Sequence, residues 1–275
     1  MGFSALYAER LHLPRMAAAR QVMLWLLQSA PGVPSDAPLS FADLGAGTCA
    51  ACLGARLALH EHAGAEQPFR AFAIDLATSS ARFAKAFGTM CKRESTHGRP
   101  ALLPGQSADQ YLSSAEPGIG ALASSLLKQI EGRSERQPHL ILASFSLHYL
   151  KAEEKDNFYQ LLCSLATRPL LLLVIKGLDQ KGAAEVTRVV RSVHFGLHFV
   201  IGKDRNVRVV EAHLCLILPR AFQGAAPSGP AAARRCGGDA RSSDQWVLQT
   251  FDAVERRVKA DGLRTGVTLF EGSSH

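Results

Sequence analysis

Two runs of apolar residues constrain the fold of this chain more than any other feature of its sequence. In RPLLLLVIKG, residues 168–177, every position of 170–175 is apolar, and HLILASFSLHYL, residues 139–150, opens with a similar run. A strand without a polar face has to be covered on both sides, which is the situation at the centre of a parallel sheet flanked by helices. The sequence therefore predicts an α/β fold.

The other segments alternate as a parallel sheet requires. A strand at 41–44 passes through a glycine turn into a helix at 50–60, and an apolar run at 69–76 leads into a helix at 79–87. In the weakly patterned stretch 91–138, a third strand is expected just before Gln106. Further on, the pattern predicts a strand at 140–144, a helix at 153–165, a strand at 170–175, a helix at 183–193 and a closing hairpin around Lys-Asp-Arg-Asn. We therefore expect a mostly parallel sheet that ends in an antiparallel pair.

The chain divides into four segments. They are an N-terminal helical segment at 1–38, the α/β domain at 39–220, a flexible Gly-, Ala- and Ser-rich linker at 221–242, and a C-terminal helix with a short strand at 243–275. Apolar residues at helical spacing predict the buried faces of the two terminal helices. These are Met16, Ala19, Met23, Leu26 and Leu27 in the first helix, and Val247, Phe251, Val254 and Val258 in the last.

Composition limits the compartment and the partners. A net charge of +7 and a pI near 9.3 suit an anionic partner such as RNA or a ribonucleoprotein, although the basic residues are spread along the chain. The apolar runs fall far short of a membrane span, and the 6 cysteines follow no disulfide spacing, which favours a reducing, cytoplasmic location. The alternative is a mitochondrial location. The first helix carries Arg10, Arg15 and Arg20 but only one acidic residue, Glu9, and an organelle transit peptide has the same excess of arginine.

The glycine turn FADLGAGTCAAC, residues 41–52, has three interpretations. Its glycines suit a nucleoside cofactor in general, Gly45, Gly47 and Ala50 also match the dinucleotide fingerprint, and Cys49 with Cys52 forms a C-x-x-C pair. A redox or zinc site is disfavoured, because the chain has too many strands for a thioredoxin-like fold and lacks a second ligand pair. No metal site is predicted.

The choice between the two cofactor interpretations depends on Asp43. Both cofactors need glycines for close backbone approach and a carboxylate after the second strand, here Asp75, for the ribose hydroxyls. A carboxylate two residues before Gly45 would repel a pyrophosphate, whereas it would attract a cofactor with a cationic amino acid end. The sequence thus favours the second kind of cofactor.

These motifs resemble those of class I S-adenosylmethionine-dependent methyltransferases. FADLGAGTCA is similar to their first motif, FRAFAIDLATSSARFAKAF to their second, and HLILASFSLHYL to their fourth-strand segment. The resemblance covers about 39–219 and implies a seven-stranded, mostly parallel sheet with helices on both faces and a C-terminal antiparallel hairpin. The chain departs from the pattern at Cys49, where a third glycine is usual, in a longer loop before Phe69, and at Gln106, where an aspartate is common.

The resemblance also implies a role for each site residue. Gly45 and Gly47 would approach the methionine part of S-adenosylmethionine, Asp43 its amino group, Asp75 the ribose and Leu76 one adenine face. Gln106 or Ser107 would bind the adenine amine, Ser144 would line the carboxyl edge of the sheet, and His148 would take a proton from the acceptor. Lys176 and Glu211 match the last two members of the Lys-Asp-Lys-Glu set of ribose methyltransferases, but the aspartate after the fourth strand is missing.

The sequence accordingly predicts methyl transfer from S-adenosylmethionine to an unidentified acceptor, which is RNA, protein or a small molecule. The first alternative is a catalytically silent methyltransferase-like domain that acts as a binding or assembly factor, and its motivation is the basic charge, Cys49 and the terminal helix. The second is an NAD(P)-linked oxidoreductase.

Overall fold

A computed structural model provides the structure of the chain. It describes residues 3–34, 39–46, 48–64, 67, 69–75, 112–113, 137–147, 159, 162–163, 166–177, 191–201, 206–219 and 242–263. The described helices are α1 (Phe3–Ser29), α2 (Ala50–Ala63) and α3 (Ser242–Ala260). The described strands are β1 (Leu39–Leu44), β2 (Phe69–Asp75), β3 (Leu112–Ser113), β4 (Leu140–Ser144), β5 (Leu170–Gly177), β6 (Arg191–Ile201) and β7 (Asn206–Ile217).

The strands form one sheet in the order β3-β2-β1-β4-β5-β7-β6. The pairs from β3 to β5 are parallel, whereas β7 pairs antiparallel with both β5 and β6. An α/β fold around a mixed sheet is therefore confirmed. Because β1 lies between β2 and β4, the chain reverses its direction of winding at β1, and the strands on either side of this point are reached by separate crossovers.

Two expected elements lie elsewhere than predicted. The helix expected at 183–193 overlaps β6, which already begins at Arg191, so the helix prediction is wrong for its last three positions. The side chains of Val193 and Phe195 fill the core from this strand, and this tertiary packing outweighs the local helical pattern. The third strand was expected before Gln106, whereas β3 follows that residue in the chain.

The central strands are buried on both faces, as their apolar runs predict. Successive side chains point to opposite sides of the sheet, so each strand contributes alternate residues to two cores. The core on the side of α1, α2 and α3 contains Phe41, Leu142, Leu173, Phe195 and Leu214. The core on the other side contains Ala42, Ile141, Leu172 and Cys215, covered by Tyr159, Leu162 and Cys163 of a helical segment.

Helix α1 packs closely along α2 because α2 carries a glycine at the crossing. A Cβ atom at Gly54 would meet the carbonyl oxygen of Met16 and would lie 2.7 Å from the backbone nitrogen of Arg20. The expected core residues of α1 are buried, namely Ala19, Met23, Leu26 and Leu27, whereas Met16 is only partly buried. The terminal helix is thus fixed on the sheet through α2.

Helix α3 buries the apolar stripe that the sequence predicts. Val247, Phe251, Val254 and Val258 all belong to the same core as α1 and α2. The guanidinium of Arg257 lies 4.7 Å from the ring centre of Trp25, and its Nη1 donates to the Trp25 carbonyl oxygen at 3.2 Å. Both terminal helices therefore share one face of the sheet. None of the described helices combines the length and apolar character that crossing a bilayer requires.

Candidate functional site

The site lies at the carboxyl edge of the sheet, where the strand order changes direction. β1 pairs with β2 on one side and with β4 on the other, and all three run parallel. Ligands of open α/β sheets bind in the crevice that forms outside the carboxyl ends of strands at such a point. The loops that follow β1 and β4 therefore form the candidate site.

Gly45 occupies the turn after β1 for two physical reasons. Its φ of +71° lies in the left-handed region, which costs a residue with a Cβ atom about 1–2 kcal/mol. In addition, a Cβ at this position would lie 2.6 Å from the Cβ of Ser146, which follows β4. The bend at 44–46 and the loop after β4 are thus in close contact. Ser146 occupies the space in which a side chain at position 45 would lie.

Two further residues in these loops have unusual backbone conformations. Cys49, at the N-cap of α2, has a φ of 59°, and Phe145, directly after β4, has a φ of 53°. They are the only residues other than glycine with positive φ in the described ranges. Left-handed conformations of such residues concentrate at functional sites, where the surrounding structure holds them in place. Cys49 thus adopts a conformation that glycine would adopt without strain.

Asp43 places a buried carboxylate near the end of β1, two residues before Gly45. Its residue is only 1% exposed, and the thiol of Cys52 hydrogen bonds to it. Burial raises the pKa of the Cys52 thiol well above its usual value, and the negative charge of Asp43 raises it further. Cys49 and Cys52 form no disulfide. A thiol held in the protonated state is the opposite of a redox nucleophile, so the chemistry favours a structural role for the C-x-x-C pair.

Two hydroxyls, one at the end of β4 and one in the loop that follows it, are also buried at this point. Ser144 is 7% exposed, and within the described part of the chain the Oγ atoms of Ser144 and Ser146 have no hydrogen-bond partner. A buried hydroxyl without a partner loses free energy relative to water, so it usually marks a strained or ligand-binding position. Both serines thus carry polar atoms that a ligand at the switch point would satisfy.

Helix α1 reaches the same bend, which the sequence did not indicate. Nδ1 of His12 lies 2.7 Å from Oγ1 of Thr48, and the guanidinium of Arg15 lies 5.0 Å from the ring centre of Phe145. Burial lowers the pKa of His12. The only feature of the sequence that could have indicated this contact is His12 in the predicted helix. A single histidine does not reveal which residue it contacts. The part of α1 around His12 and Arg15 therefore contacts the loops after β1 and β4.

The remaining predicted residues are described only in part. Asp75 ends β2, two positions beyond Ala73, the residue paired with Asp43, and two strand residues span about 7 Å. The two acids thus lie on neighbouring parallel strands at the same edge of the sheet. Asp75 also pairs with Ser113 of β3. Gly47, Leu76, Gln106, Ser107 and His148 lie outside the described residues.

A second group of polar side chains lies at the same edge, at the end of β5. Lys176 forms an ion pair with Glu211 of β7, and the imidazoles of His194 in β6 and His213 in β7 stack with ring centres 4.1 Å apart. We call these four residues the histidine cluster. Burial, together with the charges of His194 and Lys176, lowers the pKa of His213 to about 4, although the negative charge of Glu211 acts in the opposite direction. Burial alone would raise the pKa of Glu211, but the hydrogen bond and charge of Lys176 outweigh burial and lower it.

Lys176 and Glu211 do lie together, as they would in a ribose methyltransferase. However, β4 ends on the buried hydroxyl of Ser144, so this strand end carries no carboxylate. The sequence did not reveal the histidines. Glu211 and His213 are two residues apart in β7, a spacing that puts both side chains on one face of a strand, so the pattern was present in principle.

Comparisons with known proteins give distant structural similarities. No family model and no curated protein matches the chain. Solved structures with a similar fold include magnesium protoporphyrin IX methyltransferase from Synechocystis with bound S-adenosylmethionine, at 12% identity and a TM-score of 0.40, with coverage of 78% of this chain and 84% of that one. A TehB-like methyltransferase from Corynebacterium glutamicum has 14% identity and a TM-score of 0.39, with coverage of 77% and 96%. TehB from Haemophilus influenzae has 10% identity and a TM-score of 0.39, with coverage of 78% and 66%.

Proposed function

We propose that this chain binds S-adenosylmethionine at the bend after β1 and transfers its methyl group to an acceptor. The observation that supports this most is the coincidence, at one switch point, of a left-handed glycine, a buried carboxylate and buried hydroxyls without hydrogen-bond partners in the described chain. Solved structures of one methyltransferase that is similar to the chain contain bound S-adenosylmethionine in one case and bound SAH in the other. The sequence motifs favour the same ligand.

The chemistry of the bend fits a cationic ligand better than a dinucleotide. Asp43 lies inside the protein, where charge interactions are stronger than in water. A pyrophosphate near this carboxylate would be repelled, whereas the ammonium and sulfonium groups of S-adenosylmethionine would be attracted. This difference is the reason to prefer a methyltransferase over an NAD(P)-linked oxidoreductase.

The residues of the chain would mainly bind, orient and exclude water. Bound S-adenosylmethionine supplies an electrophilic methyl group, and transfer needs an acceptor aligned with the sulfur–carbon bond in a site without water. In our proposal Asp43 holds the amino end, Gly45 and Gly47 allow close backbone approach, and Asp75 holds the ribose. Leu76, Gln106 and Ser107 would contact the adenine, Ser144 would line the cofactor site at the carboxyl edge of the sheet, and His148 would accept a proton from the acceptor.

Binding is tested by calorimetry on the full chain with S-adenosylmethionine and, separately, with NADH. We expect saturable binding of S-adenosylmethionine alone, and Asp43→Asn should weaken it by at least about tenfold, or about 1.4 kcal/mol. The matched control is Asp261→Asn, which removes a carboxylate from the exposed end of α3 and should bind as the original chain does. Binding of NADH alone, or of neither ligand, would overturn the proposal.

Methyl transfer is tested with tritiated S-adenosylmethionine and fractionated cell lysate. Label that depends on the chain should appear in one fraction, RNA, protein or small molecules, and Asp75→Ala should abolish it while Asp261→Asn does not. The labelled fraction identifies the acceptor class. Tight binding without transfer to any fraction would instead support the alternative of a silent binding or assembly domain.

A further inference from the structure

We propose that His194, Glu211 and His213 form a binding site for a divalent transition metal such as Zn²⁺. This inference does not rest on the proposed function. The three residues lie on β6 and β7, away from the bend after β1, and none of them belongs to the proposed cofactor site. The sequence pattern predicted no metal site. The three residues come from two neighbouring antiparallel strands, and their ligand atoms all lie within 4.8 Å of one another.

The register of the sheet explains why these side chains converge. His194 of β6 pairs directly with His213 of β7, and Glu211 lies two residues from His213 in the same strand. Side chains at paired positions, and at positions two apart, point to the same face of a sheet. The cluster is therefore fixed by the backbones of two paired strands, which is a rigid basis for a binding site.

The distances are close to those that a bound metal requires. The Nε2 atoms of His194 and His213 lie 3.7 Å and 3.8 Å from Oε2 of Glu211, which is too far for hydrogen bonds. In a tetrahedral site with metal–ligand bonds of about 2.0–2.1 Å, the ligand atoms are separated by about 3.3–3.4 Å. The two Glu211–histidine distances exceed that separation by about 0.4 Å. Because the two imidazoles are stacked, binding also requires the rings to rotate until both Nε2 atoms point at the ion.

The donor set indicates the class of metal. Two imidazole nitrogens and one carboxylate oxygen suit Zn²⁺, Co²⁺, Fe²⁺ or Ni²⁺, whereas Mg²⁺ and Ca²⁺ prefer oxygen ligands alone. The side chains are 32%, 13% and 21% exposed for His194, His213 and Glu211, but the Nε2 atoms of both histidines are buried. An ion would therefore enter as the imidazoles rotate toward solvent. Three protein ligands leave a fourth position open, as in zinc sites that bind an exchangeable ligand.

Lys176 is the competitor for this site. Its ammonium contacts the same Glu211 oxygen that would bind the metal, so binding requires Lys176 to move away or to pair with the other carboxylate oxygen. In the described structure, the ammonium already occupies the position of a cation beside the carboxylate. This competition makes a specific prediction, because a variant without the ammonium should bind metal more tightly.

The test is titration of the full, metal-free chain with Co²⁺, monitored by visible absorption. We expect one equivalent to give ligand-field bands without the thiolate charge-transfer band that cysteine binding would produce. His194→Ala and His213→Ala should each weaken binding by at least about tenfold. The double variant His60→Ala/His62→Ala removes two histidines near the end of α2 and should leave the titration unchanged.

A further variant protects the test against misfolding. Lys176→Met keeps the histidines and the carboxylate and should tighten Co²⁺ binding by a factor of a few or more, a gain that an unfolded variant would not give. Absence of saturable binding to the original chain and to Lys176→Met would overturn the proposal. A spectrum with thiolate bands, or one unaffected by the two histidine substitutions, would overturn it as well.

Discussion

The bend after β1 and the histidine cluster lie at the same edge of one sheet but are held in different ways. The bend depends on backbone conformation, with Gly45, Cys49 and Phe145 all at positive φ and with Ser146 packed against Gly45. The cluster depends on side chains that extend from regular, paired strands, and no backbone strain accompanies it in the described ranges. The difference shows that the bend depends on the shape of its backbone, whereas the cluster depends on the charges of its side chains.

The largest expected difference concerns the glycines of the two regions. Gly45→Ala should lower the free energy of unfolding by about 3 kcal/mol, because it adds left-handed strain to the overlap with Ser146. Gly196→Ala, in β6 opposite Glu211, has nothing within 4 Å of the new Cβ and should change stability by less than about 1 kcal/mol. Urea denaturation measures both variants.

A third glycine separates the two contributions at Gly45. Gly262 has a similar φ of +65° but open space around its Cβ position, so Gly262→Ala should lose only the conformational part, about 1–2 kcal/mol. Equal losses at Gly45 and Gly196 would contradict the view that the bend is held more tightly than the cluster.

Next in size is the effect of Gly54→Ala, which tests how firmly α1 is held over the bend. Alanine favours a helix by about 1 kcal/mol over glycine, but here its Cβ would overlap backbone atoms of α1. We expect a net loss of about 1–2 kcal/mol in the free energy of unfolding, measured by urea denaturation. A more stable variant would show that α1 separates from α2 without cost.

A smaller effect is expected from the strain at Cys49. Because its φ of 59° suits glycine, Cys49→Gly should be more stable than Cys49→Ala by about 1 kcal/mol. At Ala58, inside α2, the order should reverse, and Ala58→Gly should lower stability by about 1 kcal/mol. Thermal or urea unfolding of the three variants measures this difference. If alanine were more stable than glycine at position 49 as well as at position 58, the strained conformation of Cys49 would be contradicted.

The smallest effect is a pH dependence at His12. Burial lowers the folded-state pKa of His12 below its ordinary value of 6.5, so the unfolded chain takes up a proton first as the pH falls. Stability from this group is therefore present above about pH 6.5 and is lost progressively below it. The urea concentration at the unfolding midpoint should decrease as the pH is lowered from about 7.5 to about 5.5, and this decrease should be smaller in His12→Gln. An unchanged slope in that variant would assign the pH dependence to other groups.

The sequence predicted the central sheet well because the buried strands carry an unambiguous pattern. The prediction for β4 coincides with Leu140–Ser144, and the apolar run of β5 is buried as expected. The start of β6 was missed because residues 191–193 continue a helical pattern, and only the pairing with β7 shows that they are extended. Long-range pairing of this kind leaves little trace in local sequence.

The candidate site was predictable to a similar extent. Asp43 and Gly45 follow from a local motif, and the structure brings them to the switch point together with Ser144. The contacts of His12 with Thr48, and of His194 with His213, join residues that are distant in the chain or lie on different strands. Such contacts depend on helix placement and strand register, which the residues concerned do not encode individually.

Helix α1 contacts both the loop beside the bend and strand β6. His12 touches Thr48 beside the bend, while Trp25 packs on Phe195 with ring centres 4.4 Å apart. Helix α1 advances by about 20 Å between these two residues, and Pro14 lies within this stretch. One helix thus contacts both the loop beside the bend and the strand that carries His194.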